Sequence, residues 1–233
     1  MTIFVIHTQN QDIYKQLELE EALLRAHEGN FCIINEGSSP AVVMGISGKA
    51  EELVDLAKTK QDQIPVIKRF SGGGTVIVDE ETLFVTFIFQ KDRFSFPAYP
   101  EPIMQWSESI YQPVFGDVRF RLRENDYVID EKKCGGNAQY IKKDRWLHHT
   151  SFLWDYKDHF MDYLLHPKKT PSYRQDRKHV DFLCRLKDLF LTKSYFVETL
   201  KKELSQHFTV SEISENKAWE MIDKPYRKTT VVL

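Results

Sequence analysis

Residues 68–89 read KRFSGGGTVIVDEETLFVTFIF, three consecutive glycines set between runs of β-branched and apolar residues. The flanking runs have the composition of buried strands. A glycine triplet has no side chains to pack and too much backbone freedom to extend either strand, so the chain must turn there. Such a turn bares main-chain N–H groups, to which phosphate or carboxylate oxygens can come close. Arg69 and Ser71 stand at its entrance, and a guanidinium can pair with the same anion in a forked geometry. Taken alone, a glycine-rich hairpin with no ligand explains the triplet equally well. No Gly-Lys-Ser/Thr follows, which excludes a Walker loop, and the spacing is not that of a dinucleotide-binding fingerprint.

Elsewhere the pattern alternates between strand and helix. TIFVIHT, FCIINEG, AVVMGIS and PVIKRF read as strands, with GSSP as a turn. Apolar residues recur at helical spacing over residues 9–27, with acids clustered at Glu18, Glu20 and Glu21, and Gly29 ends that helix. Residues 50–59 read as a short helix. TVIV and LFVTFIF are strands, with DEET between them as a hairpin turn. Pro97, Pro100 and Pro102 mark a loop before a helix over residues 104–112. A strand-rich block covers residues 119–155, with DEKK and IKKDRW as turns. KSYFVETLKKELSQHF is a helix with Phe196, Leu200 and Leu204 along one face. Many strands joined by short turns imply an α+β fold, a largely antiparallel or mixed sheet flanked by helices. The expected organisation is one domain over residues 1–233, with 157–233 as a C-terminal extension.

The chain has 233 residues, 42% of them hydrophobic and 13% aromatic, which supplies a packed core. Its net charge of −2 gives no general pull toward nucleic acid or an anionic membrane. The start of the chain has no basic n-region and an apolar run too short for a signal peptide or a membrane span. Cys32, Cys134 and Cys184 are odd in number and widely spaced, which suits a reducing cytoplasm and matches no structural metal site.

The second informative stretch is residues 124–153, ENDYVIDEKKCGGNAQYIKKDRWLHHTSFL. A second small-residue turn, Gly135-Gly136-Asn137-Ala138, follows Lys132, Lys133 and Cys134. An ammonium beside a tight glycine turn can be set against a phosphate or a developing oxyanion, and Asn125 and Asp126 offer oxygen ligands suited to Mg2+. A solvated hairpin tip is the competing reading for the lysine pair. On a strand, His148 and His149 point to opposite faces and so do not share a metal.

In this order the two stretches resemble the lipoate–protein ligase family, within the biotin/lipoate ligase and octanoyltransferase group. KRFSGGGTV (68–76) is similar to the family's RRSGGGAV. Asn125-Asp126, KCGGNA (133–138) and HHTS (148–151) follow in the positions of its ND, K-x-S-G-x-A and HHGT motifs. LELEEALL (17–24) and EGSSPAVVMGIS (36–47) look like the family's upstream helix and strand. The likeness covers roughly residues 10–155. It implies the catalytic core shared with biotin ligases and class II synthetases, and a reaction in two steps. ATP and lipoate (or a related medium-chain acid) give an acyl-adenylate, which then acylates a lysine of a lipoyl carrier domain. Such carriers are the E2 subunits of 2-oxoacid dehydrogenases and the glycine cleavage H protein. Carried over, Arg69, Ser71, Gly72, Gly73, Gly74 and Thr75 line the acyl-adenylate tunnel, with Gly136, Asn137 and Ala138 beside them. Lys133 contacts the acyl carboxyl and the α-phosphate. Asn125 and Asp126 hold the nucleotide or its Mg2+, and His149 and Ser151 floor the pocket. The sequence departs from the family at Ile77-Val78 (usually Tyr-His), at Phe84 (usually Asn) and at Thr150 (usually Gly). Relatives often carry a C-terminal accessory domain, so a separate accessory protein is a further expected partner.

Two alternatives stay open. An ATP-independent octanoyl or lipoyl transferase would use Cys134 or Cys184 as a thioester-forming nucleophile, and a non-catalytic module would bind lipoyl-AMP or the carrier. The basic run 168–178, with Tyr173 inside it, reads as a solvated loop or a dock for an acidic carrier, and not as a nucleic-acid contact.

Overall fold

A computed structural model of the chain describes residues 1–165, 171–174, 177, 179–190 and 192–233. The elements run β1 (Thr2–Gln9), α1 (Ile13–Ala26), β2 (Phe31–Glu36), β3 (Ala41–Met44), α2 (Ala50–Leu53), α3 (Leu56–Gln61), β4 (Val66–Lys68), β5 (Val76–Val78), β6 (Thr82–Gln90) and α4 (Pro100–Phe115). They continue with β7 (Phe120–Arg123), β8 (Asp126–Ile129), β9 (Lys132–Ile141), β10 (Arg145–Leu153), α5 (His179–Phe182), α6 (Lys193–His207), β11 (Thr209–Ile213), α7 (Glu215–Glu220) and β12 (Val231–Val232).

Two sheets result. The larger has the strand order β11-β1-β2-β6-β10-β9-β8-β7 and the smaller β12-β4-β3-β5. Both are mixed: β1 pairs in parallel with β2 and β11, and β3 with β4, while the other ladders are antiparallel. The central strands β2 and β6 are buried on both faces apart from Gln90. This explains why they read as continuous apolar runs instead of alternating.

Local chemistry sets the boundaries. Asp12 caps α1 by accepting from the N–H groups of Tyr14 and Lys15, and Thr192 and Ser214 cap α6 and α7 in the same way. Pro100 and Pro102 lie inside the first turn of α4, where a missing N–H costs nothing, instead of in a loop before it. The segment expected as one helix over residues 50–59 is two short ones, α2 and α3, the second capped by Asp55. DEET does not close a hairpin. β5 pairs with β3 in the small sheet and β6 with β2 and β10 in the large one, so these residues carry the chain from one sheet to the other.

The largest core cluster lies between the large sheet and helices α4 and α6, with Phe87, Phe89, Tyr111, Trp146, Phe152, Phe196 and Leu200 in it. Phe196, Leu200 and Leu204 are all buried. Two strands from the C-terminal part of the chain join the sheets, β11 extending the large one beside β1 and β12 the small one beside β4. The C-terminal segment is anchored by Glu21, a fully buried acid on α1. Its carboxylate accepts from the N–H and hydroxyl groups of both Thr229 and Thr230, at 2.6 to 3.1 Å, and from Arg25 Nε at 2.9 Å. Most of the basic run 168–178 lies outside the described residues. Among the described residues no helix is long and apolar enough to cross a membrane.

Candidate active site

Between the two sheets lies a cavity of about 950 Å3. Its walls are the glycine turn after β4, strand β5, the start of α1, strands β9 and β10, and the segments around Leu164, Arg174 and Phe182.

Lys133 reaches the cavity because of an irregularity in β9. Val128 of β8 pairs with Lys133 and Tyr127 pairs with Gly135, which leaves Cys134 without a partner in that ladder. A bulge of this kind shifts the alternation of side chains by one residue. Lys133 therefore shares a face with Gly136 and Ala138, all three lining the cavity, where a regular strand would turn it away. Its Nζ lies 2.7 Å from Asp126 Oδ1. The side chain arches over Gly136, where an added Cβ would sit 3.2 Å from Nζ and 3.4 Å from Cε.

Across β10, Ala138 pairs with His149 and Gly136 with Ser151, so His149 and Ser151 face the same cavity. His148 faces the opposite side, within 3.2 Å of the Ser107, Tyr127 and Thr150 hydroxyls and with Nδ1 accepting from Gln139. Burial, reinforced by His149, pushes it down to about 3, so it is neutral at physiological pH. His149 Nδ1 lies 3.0 Å from Glu20 Oε1, an oxygen that also accepts from Thr86 Oγ1 at 2.7 Å and Gln16 Nε2 at 2.8 Å. A carboxylate only accepts, so Nδ1 carries the proton and Nε2 is turned toward Ser151 Oγ, 3.4 Å away. Phe84 packs against the His149 ring, with centroids 5.7 Å apart.

The glycine turn is held from beneath by Arg69. The expected role for this residue was to pair with an anion. Instead its terminal nitrogens donate to Val43 O at 3.3 Å, Gly72 O at 3.1 Å and Gly74 O at 2.8 Å. A turn that bares amides on one side also strands carbonyls on the other, and those need buried donors. Burial lowers Arg69 to about 10, with Glu20 opposing the shift, so it stays charged at neutral pH. Gly73 adopts φ of +119°, and a Cβ there would meet Arg69 Nη2 at 2.5 Å, so both backbone and space require glycine. Gly72 N donates to Gln139 O at 2.9 Å and Ile46 N to Ser71 O at 3.0 Å, which ties the turn to β9 and to the end of β3. Arg69 Nε, Ser71 Oγ and Thr75 Oγ1 are buried with no hydrogen-bond partner among the described residues. Buried polar groups are rarely left so, and two of the three, on Arg69 and Thr75, belong to residues of the cavity wall, where a polar ligand can complete them.

Gly72, Gly73, Gly74, Thr75, Asn125, Asp126, Asn137 and Arg69 also line the cavity, whereas Ser71, Cys134 and Cys184 do not. Cys134 is fully buried, its thiol directed at Tyr127 O 3.4 Å away, and burial pushes it far up. Cys184 is partly buried and also raised by burial, with Lys132 opposing. Neither thiol faces the cavity or is poised as a thiolate. Asp126 and Glu124, the two carboxylates on the wall, have all four oxygens engaged, with Lys133, Tyr173 and Ser172. They do not fit a protein-built Mg2+ site, and no group of three or more metal-ligating side chains is found among the described residues.

Sequence reasoning missed Glu20, Tyr173 and Arg174. Glu20 and Glu21 belong to the acidic cluster on α1 and were given no role, yet both are fully buried. The available signal was their position inside the apolar stripe, between Leu19 and Leu23. Tyr173 and Arg174 were hidden in a basic run that looked like a surface loop.

Residues 12–209 match the sequence profile of the lipoyl protein ligase A/B catalytic domain. A Plasmodium falciparum protein named inactive lipoate–protein ligase 2 is 29% identical over 95% of this chain and 74% of its own length. The Bacillus subtilis lipoate–protein ligase LplJ is 26% identical over 81% of this chain and 57% of its own length. The match spans only 37% of the yeast relatives. Among solved structures, one from an archaeal lipoylation system is similar with a TM-score of 0.76 and 20% identity. That work concerns a bi-partite lipoate protein ligase and its E2 lipoyl domain from Thermoplasma acidophilum, and the likeness covers 96% of this chain and 92% of that one. By the profile match across most of its length, the chain belongs to the lipoyl protein ligase A/B catalytic-domain family.

Proposed function

We propose that this protein is an ATP-dependent lipoate–protein ligase acting in the cytoplasm. It activates lipoate, or a related medium-chain acid, as the acyl-adenylate and transfers the acyl group to a lysine of a lipoyl carrier domain. The observation that carries the reading is Lys133, arched over Gly136 and facing a cavity of about 950 Å3 bounded by the Gly72–Gly74 turn. Attack of the acid's carboxylate on the α-phosphorus, with loss of pyrophosphate, brings two anions together. A fixed ammonium and bared N–H groups oppose their repulsion. Arg174, also on the cavity wall, adds a second cation for phosphate. In the second step the carrier amine attacks the acyl carbon and AMP leaves. The apolar wall residues Ile13, Leu17, Val43, Val78 and Phe84 suit an acyl chain and keep water from the anhydride. Carriers of the E2 and H-protein kinds are the proposed acceptors, with a separate accessory protein as a further partner.

A binding-only module is the second reading, favoured by the ion pair at 2.7 Å that already occupies Lys133. The cysteine transferase lacks an accessible thiolate. The deciding assay mixes the protein with Mg-ATP, lipoic acid and a lipoyl carrier domain and reads the carrier's intact mass. An ATP-dependent lipoyl-sized gain that Lys133→Ala abolishes supports the ligase. Tight lipoate binding with no gain favours the module, and a gain without ATP overturns both.

A further inference from the structure

We infer that Tyr173 is a positioning residue for Lys133, acting through Asp126. The inference rests on the reading that Lys133 meets the ligand's carboxylate. Asp126 divides its two oxygens: Oδ1 lies 2.7 Å from Lys133 Nζ, and Oδ2 accepts from Tyr173 OH at 2.8 Å. Tyr173 and Asp126 are 4% and 6% exposed, so neither contact is a loose surface encounter.

Tyr173 itself is held firmly. Glu124 accepts from its N–H at 3.2 Å and from Ser172 N at 3.3 Å, the Arg123 guanidinium lies 4.7 Å above its ring, and Phe182 packs beside it at 5.2 Å. Its neighbours Pro171 and Arg174 form part of the cavity wall. The hydroxyl therefore reaches Asp126 from a segment far along the chain and fixes the rotation of the carboxylate. Without that bond the carboxylate is free to turn and offer both oxygens to the ammonium. With it, Asp126 presents one oxygen, and part of its charge is taken by the hydroxyl. Lys133 is thus aimed over Gly136 but held by a weakened partner, from which an incoming carboxylate or phosphate can draw it. The segment that walls the cavity and the orientation of the ammonium become one mechanical unit.

The test is a double-mutant cycle with two readouts. Tyr173→Phe keeps the ring and its packing and removes only the hydroxyl. In full-length protein, calorimetric lipoic acid affinity is expected to fall about tenfold in Tyr173→Phe, the low end for a hydrogen bond to a charged group. In an Asp126→Asn background the same change is expected to have under about a twofold effect, because its route is gone. Equal losses in both backgrounds overturn the inference. The second readout needs no ligand: the Nζ resonance of Lys133 in 15N-lysine protein, assigned with Lys133→Arg, is expected to move in Tyr173→Phe. The resonance of Lys201, paired with Glu212 elsewhere, serves as the unmoved control. A stationary Lys133 signal overturns the inference whatever the affinity. A moved signal in a protein that binds no lipoic acid leaves the positioning role standing and removes the ligase reading.

Discussion

Gly136 lies directly beneath the Lys133 ammonium, so close that a Cβ at that position would stand 3.2 Å from Nζ. The residue is small because the lysine occupies the space. Under the proposed ligase function, Gly136→Ala is therefore expected to tilt the ammonium and lower kcat for carrier lipoylation by at least about tenfold, since misplaced catalytic groups lose rate steeply. Stability should change by about 1 kcal/mol or less, because the flexible end of the lysine can yield. Steady-state kinetics beside a thermal melt checks both. Normal turnover in Gly136→Ala removes the argument that the arch over the glycine matters.

The Glu21 anchor makes a separate forecast. Glu21→Ala leaves the buried donors of Thr230 and the half-buried donors of Thr229 without an acceptor, which is expected to cost about 3 kcal/mol. The loss should also spread. β12 pairs with β4 through Val231 with Lys68 and Val232 with Ile67, and Lys68 adjoins Arg69. Amide exchange measured by mass spectrometry should rise at residues 229–233 and at 66–70. If exchange rises only at the C-terminus, the strand does not support the turn.

Acid should weaken the fold through two buried groups. His148 has a folded pKa near 3, below its unfolded value, so the unfolded chain binds more protons between the two. Stability then falls as pH drops below about 6.5, by up to about 1.4 kcal/mol per unit, until the folded value is reached. Glu21 acts lower. Burial pulls its pKa up, but the bonds from Thr229 and Thr230 outweigh this and leave it below its ordinary value. Its contribution is present above the usual carboxylate range and disappears as pH falls through the folded value. Urea unfolding of the wild type and His148→Gln between pH 7 and pH 5 isolates the histidine, and equal slopes in the two proteins would count against its buried neutral state.

The thiols provide a negative control for the chemistry. Under the proposed ligase function, Cys134→Ala with Cys184→Ala is expected to keep ATP-dependent lipoylation near the wild-type rate while costing about 1 kcal/mol for the small hydrophobe lost at the buried position. An acyl-thioester trapped on either sulfur by mass spectrometry would reverse that conclusion.

Much of this architecture is legible in residue pattern. β2 and β6 announce themselves as apolar runs, and α6 by Phe196, Leu200 and Leu204, because burial of one face or both leaves a periodic mark. Lys133, Gly136 and the Gly72–Gly74 turn are singled out by local spacing, and all of them line the cavity. What the pattern does not carry is pairing between distant segments. DEET looks like a hairpin because sequence proximity suggests that β5 and β6 are neighbours, yet each finds a better partner in a different sheet. The bulge at Cys134 leaves no mark in composition, although it decides which way Lys133 points. The role of Glu20 is not legible because two of its partners, Thr86 and His149, come from distant strands, and only Gln16 lies on its own helix. Arg69 was placed correctly at the turn, but the carbonyls it serves are created by the turn's own shape.

That last contact bears on the entropy of ligand binding. A run of three glycines has the largest backbone entropy to lose on ordering. Here the loss has already occurred during folding, since Arg69 donates to Gly72 and Gly74 and Gly72 donates to Gln139. A ligand arriving at the turn meets a backbone already ordered, so binding there need not spend further loop entropy on ordering the glycines.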